Sequence, residues 1–126
     1  MSVPADIARS RYISLTTFRK DGGGVATPVW HAAKGDELFV VSDTGAWKVK
    51  RVRNNSEVVV TVCDIRGKIA SGAANARGTA RLLDETGTQM ARRLIARKYV
   101  LSRMGNWLNK VLHLRRRPVI GIAIKL

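Results

Sequence analysis

The chain has a single cysteine, Cys63, and only two histidines, His31 and His113, in 126 residues. A lone cysteine excludes an intramolecular disulfide framework and fits a reducing compartment. Two histidines this far apart form no Cys/His cluster with zinc spacing, so no metal site is expected. Long apolar runs are also missing. The longest uncharged stretch, residues 22–33, falls well short of the roughly 18 residues that a membrane span needs. The opening residues, MSVPADIARSRY, hold no apolar core of the signal-peptide kind. These absences point to a cytoplasmic, soluble protein, expected to form one domain over residues 1–126. Acidic residues are scarce as well. Nine Asp and Glu face 23 Lys and Arg, a formal net charge of +14. That excess implies an anionic partner: nucleic acid, a membrane surface or a phosphorylated small molecule.

With 45% hydrophobic residues and three prolines, the composition is that of a globular chain. Turn residues divide the first two thirds into short apolar segments. Residues 12–19 are rich in β-branched and aromatic side chains and end at Lys20-Asp21-Gly22-Gly23-Gly24, a strong turn signal. Residues 25–33 resume strand character until Lys34-Gly35-Asp36. Residues 37–43 (ELFVVSD) and 57–64 (EVVVTVCD) are nearly continuous in apolar residues, which implies burial on both faces, by helices or by a second subunit. Between them, residues 44–56 show helical spacing, with Val49 and Val52 on one side and Asn54-Asn55 as the stop. Residues 69–83 read as a strand interrupted by a bulge or loop. From Thr88 the pattern turns helical, with Met90, Leu94 and Ile95 on one face and Arg92, Arg93, Arg97 and Lys98 on the other. Gly105 breaks that helix, Asn106 caps a second one carrying Trp107, Leu108, Val111 and Leu112, and Pro118 opens a closing strand. Consecutive hairpins at this spacing predict antiparallel pairing in a mainly β barrel with helices.

The series YISLTTFRKDGGGVATPVWHA, ELFVVSDTGAWKVKRVRNN and VTVCDIRGK resembles the pyridoxamine-phosphate-oxidase-like superfamily. Together with the tail ARRLIARKYVLSRMGNWLNKVLHLRRRPVIGIAI, it is most similar to the small actinobacterial oxidoreductases that use the deazaflavin coenzyme F420. The resemblance runs in order through residues 10–124. It implies a split β-barrel and a homodimer with two cofactors near the subunit interface. It also implies hydride transfer between reduced F420 and a small conjugated substrate such as a quinone, a nitroaromatic or biliverdin.

Lys48, Lys50, Arg51 and Arg53 place four cations in six residues. Alone, such a run reads first as a charged solvent face. At the start of a short helix it also suits a phosphate, because free amides and the helix dipole favour an anion there. The resemblance implies that Lys48 binds the cofactor phosphate, with Arg51 and Lys50 as further candidates. Trp47 departs from the small or basic residue usual before that lysine. It either lies against the cofactor or packs on the barrel. Pro28 marks a strand edge or irregularity, since proline donates no ladder hydrogen bond. By resemblance, the strand through Thr27, Pro28, Val29 and Trp30 gives main-chain contacts to the ring system; the residues alone read first as a barrel strand with Trp30 as a core filler. Ser42 matches a position near the phosphate or the ribityl chain.

No nucleophile, base and orienting group assemble, so no catalytic side chain is assigned. His31 is expected on a strand, satisfied or exposed, and Cys63 as a small buried hydrophobe. Tyr99 is the one hydroxyl singled out as a candidate proton donor. A hydride carrier brings its own reactive atom, which accounts for the missing acid–base set. The charge excess favours F420, with its phosphodiester and glutamate tail, over flavin mononucleotide (FMN). Arg92, Arg93, Arg97, Lys98, Lys110 and Arg115 to Arg117 offer basic surfaces to such a tail. Two other readings stand beside this one: an FMN- or haem-binding member of the same superfamily, and a basic nucleic-acid-binding module. The first differs from pyridoxamine-phosphate oxidase itself at the ending GIAIKL, which lacks that enzyme's Arg- and His-containing motif. The second finds no recognition signature and no stacking stripe among the seven aromatics.

Overall fold

A computed structural model describes residues 3–100 and 118–126. Strands β1 (Tyr12–Phe18), β2 (Gly24–Val29), β3 (Ala32–Lys34), β4 (Glu37–Asp43), β5 (Glu57–Cys63), β6 (Asn75–Leu82) and β7 (Val119–Lys125) form one antiparallel sheet in the order β2-β1-β5-β6-β7-β4-β3. Helices α1 (Ala5–Arg9), α2 (Trp47–Asn54) and α3 (Glu85–Val100) accompany it. The expected second C-terminal helix, with Gly105, Asn106, Trp107, Leu108, Val111 and Leu112, lies outside the described residues, as do Lys110, His113 and Arg115 to Arg117.

The sheet's two edges, β2 and β3, are separated in sequence by Trp30 and His31 alone. Three virtual bonds of 3.8 Å bring the edges within about 11 Å of each other at that point. The sheet therefore curls until its edges approach without pairing, which is a split barrel. Residues 25–33 were expected as one strand, and the structure divides them. The apolar run is continuous, but the chain must cross from one edge of the sheet to the other at Trp30 and His31.

Strand alternation decides what fills the barrel. Ile13 and Leu15 of β1, Leu38 and Val40 of β4, Val58 and Val60 of β5 and Ile122 and Ile124 of β7 all project into one core and are essentially inaccessible. Ile7 of α1 and Val49 and Val52 of α2 enter the same core, so the two short helices are held by their apolar residues. Each such side chain contributes about 1.5–3 kcal/mol on burial. Phe39 and Ala123 face the other way, into a second cluster with Leu83 and Ala91, where α3 covers β4 and β7. The helix starts at Glu85, three residues earlier than the expected Thr88, because Asp84 caps it: its Oδ1 accepts from the Gly87 amide at 2.8 Å. No helix among the described residues is long and apolar enough to cross a membrane.

Helix α3 packs on β7, β4 and β3, while α1 and α2 turn inward. The outer face of β1, β2 and β5 thus has no helix packed on it among the described residues. It carries Val59 and Cys63, both half-buried, and Ile65 and Ile69 stand exposed in the loop beyond.

Candidate functional site

Helix α2 violates the usual rules for a helix start. Its N-cap is Ala46, which offers no side-chain hydrogen bond, and its first turn holds no acidic residue. Lys48 sits in that first turn instead, where a cation opposes the helix dipole. Lys48 is half-buried, and burial is the main cause that pulls its amine below the ordinary lysine range. The neighbouring Arg51 adds to this, while Asp43 opposes it. The start of α2 therefore brings Lys48 and Arg51 together, with the Asp43 carboxylate offsetting part of their charge. Ser42, just upstream, is 6% exposed and donates its hydroxyl to the Asp43 carbonyl at 3.3 Å.

The remaining cations of α2 separate by face. Trp47, Lys50, Arg51 and Asn54 follow i, i+3, i+4, i+7 spacing and share one side of the helix. They border an open cleft of about 550 Å³ whose opposite wall is Phe18, Arg19 and Lys20 at the end of β1. Arg51 is anchored there: its Nε donates to Oγ1 of the fully buried Thr17 at 2.7 Å. Trp47 does not pack on the barrel. It is 70% exposed, and the Lys50 ammonium lies 4.5 Å from its ring centroid. Arg53 is exposed and does not line the cleft.

The second expected marker lies elsewhere in the chain. Strand β2 is an edge, paired only with β1, in accord with Pro28. Pro28, Val29 and Trp30 border a shallow groove of about 230 Å³ with Tyr12 and Ile65. Thr27, opposite Leu15, faces inward and is half-buried. Trp30 packs beside Ala32 and Ile95, so the core-filling role is realised. No residue lines both this groove and the α2 cleft.

Three expectations need correction. His31 lies between β2 and β3 and not on a strand, is fully buried, and meets Ser10 Oγ through Nε2 at 2.9 Å. Burial, reinforced by the Lys98 charge, pushes its imidazole down to about 3. Lys98, expected on the solvated face of α3, is half-buried. It donates to the carbonyls of Ser10 at 2.8 Å and Ala8 at 3.2 Å, at the C-terminal end of α1, and burial lowers its amine to about 8. This places Lys98 in structural service and removes it from any tail-binding surface. Arg93 and Arg97 remain exposed, as expected. Cys63 is partly accessible on the outer face of β5 rather than buried, and its thiol is raised by burial and by Asp64. Tyr99 falls within α3, but its side chain is outside the described residues. Sequence reasoning missed Phe18, Arg19 and Lys20. The spacing of Trp47, Lys50 and Arg51 signals a shared face, but nothing local tells that the β1 end lies opposite.

The profile of the family described as pyridoxamine 5'-phosphate oxidase matches residues 3–125. None of the curated proteins compared matches the chain. Among solved structures, the chain is similar to one described as an F420 reductase, at 19% identity and TM-score 0.66, covering 98% of this chain and 94% of that one. It is similar to HutZ, the heme storage protein of Vibrio cholerae, at 12% identity and TM-score 0.67, covering 95% and 84%. A conserved hypothetical protein of Mycobacterium tuberculosis aligns at 18% identity and TM-score 0.69, covering 98% and 79%. At these identities the likeness establishes the shared split-barrel fold.

Proposed function

We propose, because the chain belongs to the pyridoxamine 5'-phosphate oxidase family, that it is a cytoplasmic oxidoreductase that binds coenzyme F420 and passes a hydride from the reduced form to a small conjugated organic substrate. The observation that carries this reading is the start of α2, where a helix N-terminus without a side-chain cap and a partly desolvated Lys48 converge, with Arg51 beside them and Asp43 as the one acidic influence on the amine. Lys48 and the first-turn amides bind the cofactor phosphate. Arg51, held by Thr17, lends its remaining donors, and Ser42 supports the turn beneath. The end of edge strand β2, Thr27 to Val29, and Trp30 just beyond it offer main-chain groups to the rim of the ring, with Pro28 keeping the edge from extending into a further ladder. Trp47 and Lys50 stand at the margin of this site, on the cleft side of the helix.

When bound, the deazaflavin supplies the hydride, and the chain's task is to orient the ring and keep water from it. In this reading each site is completed in a homodimer, formed across the outer face of β1, β2 and β5, because the groove beside β2 is bordered by no residue of α2 in the same chain. The formal charge of +14 supports F420, which is more anionic than FMN.

The test is a titration of the purified protein with F420 and with FMN at moderate salt, followed by tryptophan quenching. Tighter binding of F420 is expected. Equal or tighter binding of FMN would assign the site to a flavin.

A further inference from the structure

We propose that the cleft between the end of β1 and α2 is a binding site for single-stranded nucleic acid, with Trp47 and Phe18 as stacking surfaces. The sequence shows no aromatic stripe, and the two residues are 29 positions apart, but folding sets them in one cleft. Around them stand Arg19, Lys20, Lys50 and Arg51. None of these four joins any of the ion pairs formed among the described residues. Four cations therefore border two aromatic surfaces, with no ion pair to an acidic side chain among the described residues. That combination suits a chain alternating phosphates with flat bases.

The exposure of Trp47 is the second observation. A tryptophan that is 70% accessible forgoes most of the stabilisation its burial would give, and nothing in the barrel requires it there. Lys50 lies 4.5 Å from its ring centroid, which steadies the indole while most of the residue stays open to solvent. Arg51 is fixed from below by Thr17, so one wall of the cleft is set before any ligand arrives. The cleft's volume of about 550 Å³ falls within the span of roughly 300–1,000 Å³ typical of small-ligand sites, and its open shape lets a strand continue past it. Lys48 does not line the cleft, whereas Trp47, Lys50 and Arg51 border both the cleft and the proposed cofactor site, so the tests below use Trp47, Arg19 and Lys20 here and Lys48 there.

The experiment measures fluorescence anisotropy of a labelled oligothymidylate of about twelve nucleotides against the intact protein over a range of salt. The comparison is a duplex of the same length. The single strand is expected to bind more tightly, because paired bases cannot stack on Trp47. A surface reading charge alone favours the duplex, which carries one charge per roughly 1.7 Å against 3.4 Å for one strand. Trp47→Ala is expected to weaken single-strand binding about tenfold, and Trp47→Phe to retain most of it. Changing Arg19 and Lys20 together to Gln is expected to reduce the salt slope by about 1.4. The same change at the exposed pair Lys34 and Lys68, away from the cleft, is expected to leave the slope unchanged. The proposal is overturned if the wild type binds no strand, if the duplex binds as tightly, or if Trp47→Ala stays within twofold of wild type. Failure here leaves F420 binding at Lys48 untouched, and loss of F420 binding in Lys48→Ala leaves this cleft untouched.

Discussion

Arg51 of α2 donates its Nε to Thr17 Oγ1 of β1 at 2.7 Å, across 34 residues of sequence. Thr17 is fully buried among the inward-facing residues of β1, so this bond ties the cationic helix to the barrel wall. Thr17→Val keeps the shape and removes the acceptor, leaving a half-buried guanidinium nitrogen without its partner. The expected cost is about 1–3 kcal/mol, read as a lower urea midpoint with an unchanged m-value. Thr17→Ser, which retains the hydroxyl, should recover most of it. Equal stability of wild type and Thr17→Val would show that the bond does not hold α2.

His31 makes stability sensitive to acid. Its folded pKa, about 3, lies below the ordinary imidazole value of 6.5, chiefly because of burial and then because of Lys98. Between those values the unfolded chain binds more protons than the folded one, so stability rises with pH and is lost as pH falls from 6.5 toward 3. The loss between pH 7 and pH 5 should be about 2 kcal/mol, before most carboxylates titrate. Urea unfolding at the two pH values measures it. His31→Gln, which cannot titrate, should flatten the difference.

Gly121 sets how closely α3 approaches the sheet. A Cβ at this position would stand 2.8 Å from Leu83 Cδ1 and 3.1 Å from the Thr88 backbone, and the Gly121 amide donates to Thr88 Oγ1 at 2.9 Å. Gly121→Ala must push α3 outward and is expected to cost about 1–3 kcal/mol. Gly45→Ala meets nothing within 4 Å and should stay within about 0.5 kcal/mol of wild type. Thermal or urea unfolding of the two variants separates them.

Strand alternation made much of this molecule legible. Tyr12–Phe18, Glu37–Asp43 and Glu57–Cys63 fall within a residue of the expected segments, and Val49 and Val52 are buried as their spacing predicts. Helix α1 escaped notice because five residues with one buried side chain, Ile7, leave no periodicity to detect. Lys98 occupies a polar position on its own helix, and only the arrival of α1's C-terminal carbonyls reveals its burial. The α2 cluster was visible as charge, but which cations face which neighbour depends on contacts such as Arg51 with Thr17. Those belong to tertiary structure and have no local signature.

The outer face of β1, β2 and β5, on which no described helix packs, leads to an expected homodimer. Stable interfaces bury about 1,200–2,000 Å² in total, which a sheet face of this kind can supply. Light scattering at micromolar concentration should give twice the 13.9 kDa chain mass. Val59→Lys places a charge on the outer face of β5, where Val59 is half-buried, and should yield a folded monomer. A monomeric wild type would remove the proposed completion of the site across two protomers.

The most direct test of the central claim compares Lys48→Ala with Lys34→Ala, since each removes one positive charge. Lys48 is half-buried in the first turn of α2, whereas Lys34 is exposed at the edge strand β3. If Lys48 pairs with the cofactor phosphate, its loss removes a charge-assisted hydrogen bond to a partly desolvated anion, worth about 2 kcal/mol or roughly thirtyfold in affinity. The exposed control should change affinity less than about threefold. The dissociation constant for F420, titrated against both variants under one salt condition, is expected to rise about thirtyfold for Lys48→Ala alone. Equal constants for the two variants would contradict the assignment of the phosphate to the start of α2.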